Sequence, residues 1–421
     1  MILSYVARRR PPRRDVGPPL PASYLVWLAA ATVSQLGDVV LGFAVGWVAA
    51  EHGGAAAGLV LAAGSLPSVL LLLLGGTIAD RFGARRVMIA GDAVMLMMSV
   101  ALALAVVHAG TPLWLLLAAS VLRGAVFAFY SPSAGSMPRR LVADAQLTRA
   151  LALRQGASQA VQLLGAPLAG ILVVAGDLGS VALLDAGTFL VVLVVLLQVR
   201  PSHTTPPADR GVPVWRAALD GVRVVRRTPG LAGALALLAT AAAFLLPTTS
   251  LVLPLLARDA GWGASEVGIV IGAQGAGIIA VTVVVSRQGG WRRPGVAASG
   301  GLAVAALGQA VLVVAASMPA GAGLAVVAAT AVGAGSGLFT VHLAPVVLGS
   351  APRTHLARVQ ALVGLVQVGA LTITNPALGT LASATSPAVA AGASALGLLA
   401  AAASGTTALW RLTLDQVEGA Q

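Results

Sequence analysis

Apolar runs of roughly 20 to 30 residues, each ended by a short cluster of charge or of Pro and Gly, recur along the whole of this sequence. A soluble domain cannot bury so much apolar surface, because 58% of the residues are hydrophobic, only 10% are charged and the mean hydropathy is +0.92. About 20 apolar residues in a helix cross the ~30 Å hydrocarbon core of a bilayer, whereas a barrel strand would alternate polar and apolar residues over about 10 positions. The chain therefore reads as an all-α membrane protein. Run lengths place about twelve transmembrane helices near 22–50, 56–79, 87–108, 113–136, 148–175, 177–199, 231–256, 264–287, 295–317, 320–349, 356–383 and 387–411.

Charge assigns the sides. Alternate connections hold nearly all the arginine: Arg8 to Arg14, Arg81 to Arg86, Arg139 to Arg154, the 200–229 stretch, Arg287 to Arg293, Arg353 to Arg358, and Arg411. The other connections carry Glu51, Asp177, Asp259 and Glu266 with Arg258 as their one base. By the positive-inside rule the arginine side is cytoplasmic and both termini lie there. The net charge of +12 is thus topology, and no nucleic-acid partner is expected. Composition also excludes chemistry. The 26 basic residues are all arginine and there is no cysteine. A Walker A lysine, a Schiff-base lysine, disulfides and thiolate metal sites are therefore absent, and no metal, cofactor or enzymatic activity is expected. Work on a solute must draw on a gradient or a partner.

The longest polar interruption, Arg200 to Gly230, divides the chain. The expected organisation is a basic tail (1–21), a six-helix bundle (22–199), a cytoplasmic linker with a short basic surface helix (200–230), a second six-helix bundle (231–412) and a tail (413–421). The halves echo each other. Leu147 and Arg149 in "QLTRALAL" match Leu356 and Arg358 in "HLARVQAL", and Pro167 and Gly170 match Pro376 and Gly379, all at one constant offset. An even number of helices per repeat gives both halves the same orientation, hence two parallel, pseudo-symmetric six-helix bundles with a path between them.

Between the second and third helices stands "GTIADRFGARR", Gly76 to Arg86. This resembles the loop signature of the major facilitator superfamily, G-x-x-x-D-[RK]-x-G-[RK]-[RK]. Gly76, Asp80, Arg81, Gly83 and Arg85 fit, while Ala84 takes a basic position and Arg86 follows. In the second half "SRQGGWRR" is degenerate, with Ser286 where the acid would stand. Pro132, Pro138, Leu141, Val142, Leu147, Ala150, Leu153, Asp185 and Phe189 also resemble the macrolide-efflux and enterobactin-exporter branch. The resemblance implies the fold of that superfamily and makes Asp80 and Arg81, with Gly76, Gly83, Arg85 and Arg86, conformational-switch residues. Asp92 is expected to pair with the arginines of this turn.

Charges inside the spans are costly, about 3 kcal/mol at mid-bilayer, and mark cavities or partners. Asp38 lies about 22 Å into the first helix, and Arg123 sits at similar depth in the fourth. Two readings stay open: a proton-coupling carboxylate tuned by Arg123, or a structural ion pair. The resemblance implies an arginine in the fourth helix within R-x-x-x-G, and here Gly124 follows at once. Asp185 is expected to be structural. Gln35, Gln159, Gln162, Gln367, Asn375 and His342 are candidate cavity residues, and Pro167 and Pro376 candidate gating prolines.

The expected function is proton-coupled export (antiport) of a hydrophobic or amphipathic small molecule, such as a drug, a macrolide-like compound or a siderophore. It would proceed by alternating access, by a monomer among the lipids of the bacterial cytoplasmic membrane. An uptake permease or uniporter for a metabolite, or a lipid-handling protein of the same fold, are the alternatives.

Overall fold

The computed structural model describes residues 19–200, 223, 231–319, 321–349 and 356–409. The tail to residue 18, nearly all of the 200–230 linker with its expected surface helix, and the tail at 413–421 lie outside the described residues. Thirteen α-helices are present among the described residues: α1 Ala22–Ala49, α2 Gly54–Phe82, α3 Ala84–Ala109, α4 Leu113–Leu141, α5 Asp144–Ala175, α6 Leu178–Gln198, α7 Leu231–Pro247, α8 Leu253–Asp259, α9 Ala264–Gln288, α10 Pro294–Ala316, α11 Ala322–Gly349, α12 Leu356–Ala384 and α13 Pro387–Leu409. Eleven spans are long and apolar enough to cross a bilayer, and α5, bent by 46° around residues 163–166, raises the number to twelve.

α7 and α8 form one span, Leu231–Asp259, interrupted by a π-helical turn at Thr248–Val252. The sequence pattern predicts this span as a single uninterrupted helix. Pro247 and Pro254 flank the turn, and each removes a backbone donor. The carbonyl of Phe244 accepts from the hydroxyls of Thr248 (3.1 Å) and Ser394 (2.6 Å), while Gln309 donates to the Thr248 hydroxyl. Side chains thus satisfy backbone groups that neither lipid nor a regular ladder could.

The helix pairings fall into two matching sets. In the first half α1 packs on α5 and α6, α2 on α4, and α3 on α4 and α6. In the second half α7 packs on α12 and α13, α9 on α11, and α10 on α11 and α13. Each pairing has its counterpart six spans later, as two parallel repeats require. The halves meet where α2 lies on α12 and α5 on α9, two contacts that exchange under the same pseudo-symmetry.

Small residues make these crossings close. A Cβ on Gly58 would come within 2.4 Å of the Asn375 carbonyl oxygen, and one on Gly170 within 2.5 Å of the Ala264 carbonyl oxygen. Such approaches build membrane interfaces from van der Waals contact, since lipid gives apolar side chains no reason to associate. The turns after α2 and α9, at corresponding positions of the two halves, share one conformation: Gly83 has φ +88° and Gly289 has φ +84°. Only glycine adopts this geometry without strain, so the degenerate second-half sequence still keeps the turn.

Candidate functional site

A cavity of about 490 Å³ lies within the first half, lined by α1, α2, α4 and α5 among others. Its charged groups are Asp38 and Arg123. The Arg123 guanidinium donates from Nη2 to the backbone oxygen of Asp38 at 2.9 Å and reaches the carboxylate Oδ1 only at 3.7 Å. The Asp38 side chain keeps 41% of its surface exposed, against 23% for Arg123. The arginine is therefore anchored chiefly to the helix backbone, and the carboxylate faces the cavity with a loose electrostatic tether.

Local packing explains why glycines flank this pair. A Cβ on Gly42 would lie 3.3 Å from both Nη atoms of Arg123, so its absence leaves room for the guanidinium. A Cβ on Gly124 would lie 1.9 Å from the Gly64 carbonyl oxygen. Gly124 thus seats α4 on α2, and Ser68 reinforces the crossing by donating to the Gly124 oxygen at 2.9 Å. The glycine that departs from R-x-x-x-G serves helix packing here.

The other expected site residues divide. Gln35 and Gln162 line this cavity, and Gln35 also donates to the Ser158 hydroxyl at 2.8 Å, joining α1 to α5. Gln159 is exposed on the same stripe of α5, one turn away. Gln162 continues into a central cavity of about 430 Å³ between the halves, where Thr249, Ser250, Gln274 and Ser336 add neutral hydrogen-bonding groups to apolar walls. Gln367 lines a slot in the second half. Asn375 is buried at the α2–α12 crossing, with its Oδ1 unpartnered among the described residues.

His342 is no cavity residue. It is buried, its Nδ1 lies 2.9 Å from the Leu338 carbonyl oxygen, and its Nε2 accepts from the Trp291 backbone N–H at 3.0 Å. The ring that donates from Nδ1 and accepts at Nε2 is neutral, and it ties the α9–α10 connection to α11.

The arginines of the turn after α2 have separate surroundings. The Arg85 guanidinium donates to the carbonyl oxygens of Leu196 (2.8 Å), Leu197 (2.9 Å) and Val199 (3.0 Å), capping the C-terminal end of α6. Arg81 and Arg86 are exposed, with Arg81 lying over the Phe82 ring. The side chains of Gly76 and Asp80 lie outside the described residues. Asp92 meets the Tyr130 hydroxyl at 3.5 Å instead of the arginines of the turn, because it is fully buried nearly two turns deeper along α3. Asp185 is buried too and accepts from the Ser99 hydroxyl at 2.8 Å.

Pro167 lies against α9, where a Cβ on Gly272 would come within 2.7 Å of its ring, and Pro376 sits beside Gly58 of α2. Both prolines are thus at the contacts between halves. Sequence reasoning missed a clasp there. Arg258 of α8 donates to the Glu51 carboxylate at 2.8 Å and to the Trp47 carbonyl oxygen at 2.7 Å, and its guanidinium lies 4.1 Å from the centre of the Trp47 ring. The signal was present: Arg258 is the one base among the acidic connections.

Two pseudo-symmetric bundles with a polar-centred cavity between and within them define a multi-pass membrane transporter. The chain belongs to the Major Facilitator Superfamily, whose family profile it matches over residues 27–375. Macrolide efflux protein A of Streptococcus pyogenes is 23% identical over 239 residues, which are 56% of this chain and 58% of that protein. The chain therefore spans less than two thirds of the length of that relative. Among solved structures it is similar in fold to a bacterial homologue of the iron transporter ferroportin in an inward-facing state (TM-score 0.71, 16% identity, 92% of this chain and 99% of that one). A bacterial homologue of the human lysosomal transporter Spinster, inward-facing and unoccupied, is similar as well (TM-score 0.69, 15% identity, 93% and 96%). So is a nucleoside transporter (TM-score 0.71, 12% identity, 91% and 99%).

Proposed function

We propose that this transporter is a proton-coupled exporter of hydrophobic or amphipathic small molecules across the bacterial cytoplasmic membrane, with Asp38 as the coupling carboxylate. The observation that carries the reading is the looseness of the Asp38–Arg123 pair: a carboxylate exposed to the cavity and held at 3.7 Å can exchange its partner for a proton. Arg123, anchored on the Asp38 backbone oxygen, stays in place through that exchange. The similarity to a macrolide efflux protein supports the outward direction.

The arginine distribution puts the Glu51 and Arg258 end outside and the Arg81 and Arg287 end in the cytoplasm. The close contacts of Gly54 with Gly379 and of Gly170 with Ala264 lie at the end assigned to the outside, which supports a conformation closed at that end. Protonation of Asp38 from outside and release inside would drive the cycle. One proton moving through ~150 mV supplies about 3.5 kcal/mol, enough for roughly a 300-fold solute gradient. In proteoliposomes loaded with a pH-sensitive dye, apolar and amphipathic compounds from a test panel should elicit proton movement in the wild type and none in Asp38→Asn. Cargo movement without proton movement in the wild type would favour a uniporter and overturn the coupling.

A further inference from the structure

The second half holds a slot of about 200 Å³ between α7, α11 and α12. Leu245, Leu246 and Thr340 line both this slot and the central cavity, and Val39, Gly42, Leu61 and Gln162 line both the central cavity and the one around Asp38. The three spaces thus share walls in series, from Asp38 and Arg123 in the first half to Phe339, Ala344 and Gln367 in the second. The charge lies at one end of the series. The slot's lining is aliphatic or aromatic apart from Thr340 at its entrance and Gln367.

We propose that this slot is the apolar subsite of the transport cavity: it takes the alkyl or ring portion of an amphipathic cargo whose polar head lies toward Asp38. The inference rests on the reading of the cavity as the transport path and adds where the cargo's apolar part goes and which residues limit its size. An apolar group gains by leaving water for such a lining, and buried side chains, Phe339 and Leu343 the largest of them, give the slot fixed walls. At ~30 Å³ for a water-sized group, its volume holds roughly six heavy atoms. Ala344 is the small, exposed lining residue, so its side chain sets the depth available. A cargo oriented in this way also bridges both halves, which couples its presence to their relative motion.

The test is calorimetric titration of the full chain in lipid nanodiscs with n-alkylamines from propyl to decyl, with empty nanodiscs as blank. In the wild type, affinity should rise about fourfold per added methylene and then level off once the slot is full. Ala344→Val and Ala344→Leu, which add two and three carbons, should bring that levelling two and three carbons earlier and leave the shortest amines within twofold of wild type. Asp38→Asn should weaken all chain lengths by a similar factor without moving the plateau. The two graded variants guard against one failing to fold. The slot is overturned if affinity rises without a plateau, if the Ala344 variants weaken every chain length alike, or if no amine binds above the blank. Cargo movement without proton movement in wild-type liposomes, with the chain-length plateau intact, would instead count against coupling and leave the subsite standing.

Discussion

Replacing Arg258 by alanine should release the outer end of the transporter. The guanidinium there makes a 2.8 Å contact with Glu51, a 2.7 Å hydrogen bond to the Trp47 carbonyl oxygen and a stacking contact at 4.1 Å from the Trp47 ring. All three join α8 of the second half to the end of α1 in the first. The exposed ion pair contributes little by itself, about 0.5 kcal/mol, and a partly exposed cation–π contact about 1 kcal/mol. With about 0.5 kcal/mol for the solvent-screened hydrogen bond to the backbone, at the low end of the usual range, the clasp is worth about 2 kcal/mol in the closed arrangement and nothing once the halves separate at this end. Its loss should therefore raise the outward-open to outward-closed ratio about 30-fold. The chain has no cysteine, so a spin-label pair at His52→Cys and Thr385→Cys, one in each half, reports the distance distribution without background. Arg258→Lys should fall in between, because an ammonium keeps the charge and loses the planar fork and the stacking. A ratio changed by less than threefold in Arg258→Ala would refute the view that this clasp holds the halves together.

Other outcomes follow from single positions. Gly83→Ala and Gly289→Ala should each lower the melting temperature in detergent, at a cost of about 1–2 kcal/mol from the positive φ, whereas Gly300→Ala, with open space around its Cβ, should not. Gly124→Val should abolish a monodisperse gel-filtration peak by forcing α4 away from α2, while Gly135→Ala at an uncrowded site should leave it. Asp177 caps α6: its carboxylate accepts the Ser180 backbone N–H and is held below its ordinary value by that bond first and the Ser180 hydroxyl second. A depressed carboxyl favours the folded state above the unfolded value and loses that contribution as pH falls through the folded one. The melting temperature of the wild type should thus decline more steeply than that of Asp177→Asn as pH drops through and below the ordinary carboxylate range.

Much of the architecture was legible from run length, because the bilayer enforces it. The predicted span at 113–136 and the observed α4, Leu113–Leu141, differ only at the C-terminal end, where the helix continues past Pro138. The parallel repeat was legible too, since Pro167 and Pro376 sit at corresponding crossings. What sequence could not give was direction around each helix axis. His342 and Gln367 both lie on apolar helices, and only packing shows that one is fixed by two backbone partners and the other lines a slot. Arg85 was grouped with its neighbours by motif, yet its reach to the end of α6 separates it from the exposed Arg81 and Arg86. The π-helical turn left no periodic signal, because proline spacing alone does not say how a ladder is repaired.

The central claim is that Asp38 carries the coupling proton, and the most direct measurement separates exchange from proton-driven transport in one variant. Proteoliposomes containing Asp38→Asn, assayed with a compound that the wild type moves and at concentrations that saturate the variant, should sustain cargo counterflow near the wild-type rate. They should show no accumulation when a pH gradient is imposed. Accumulation driven by the gradient at the wild-type level would contradict the account and leave the Asp38–Arg123 pair a structural link between α1 and α4.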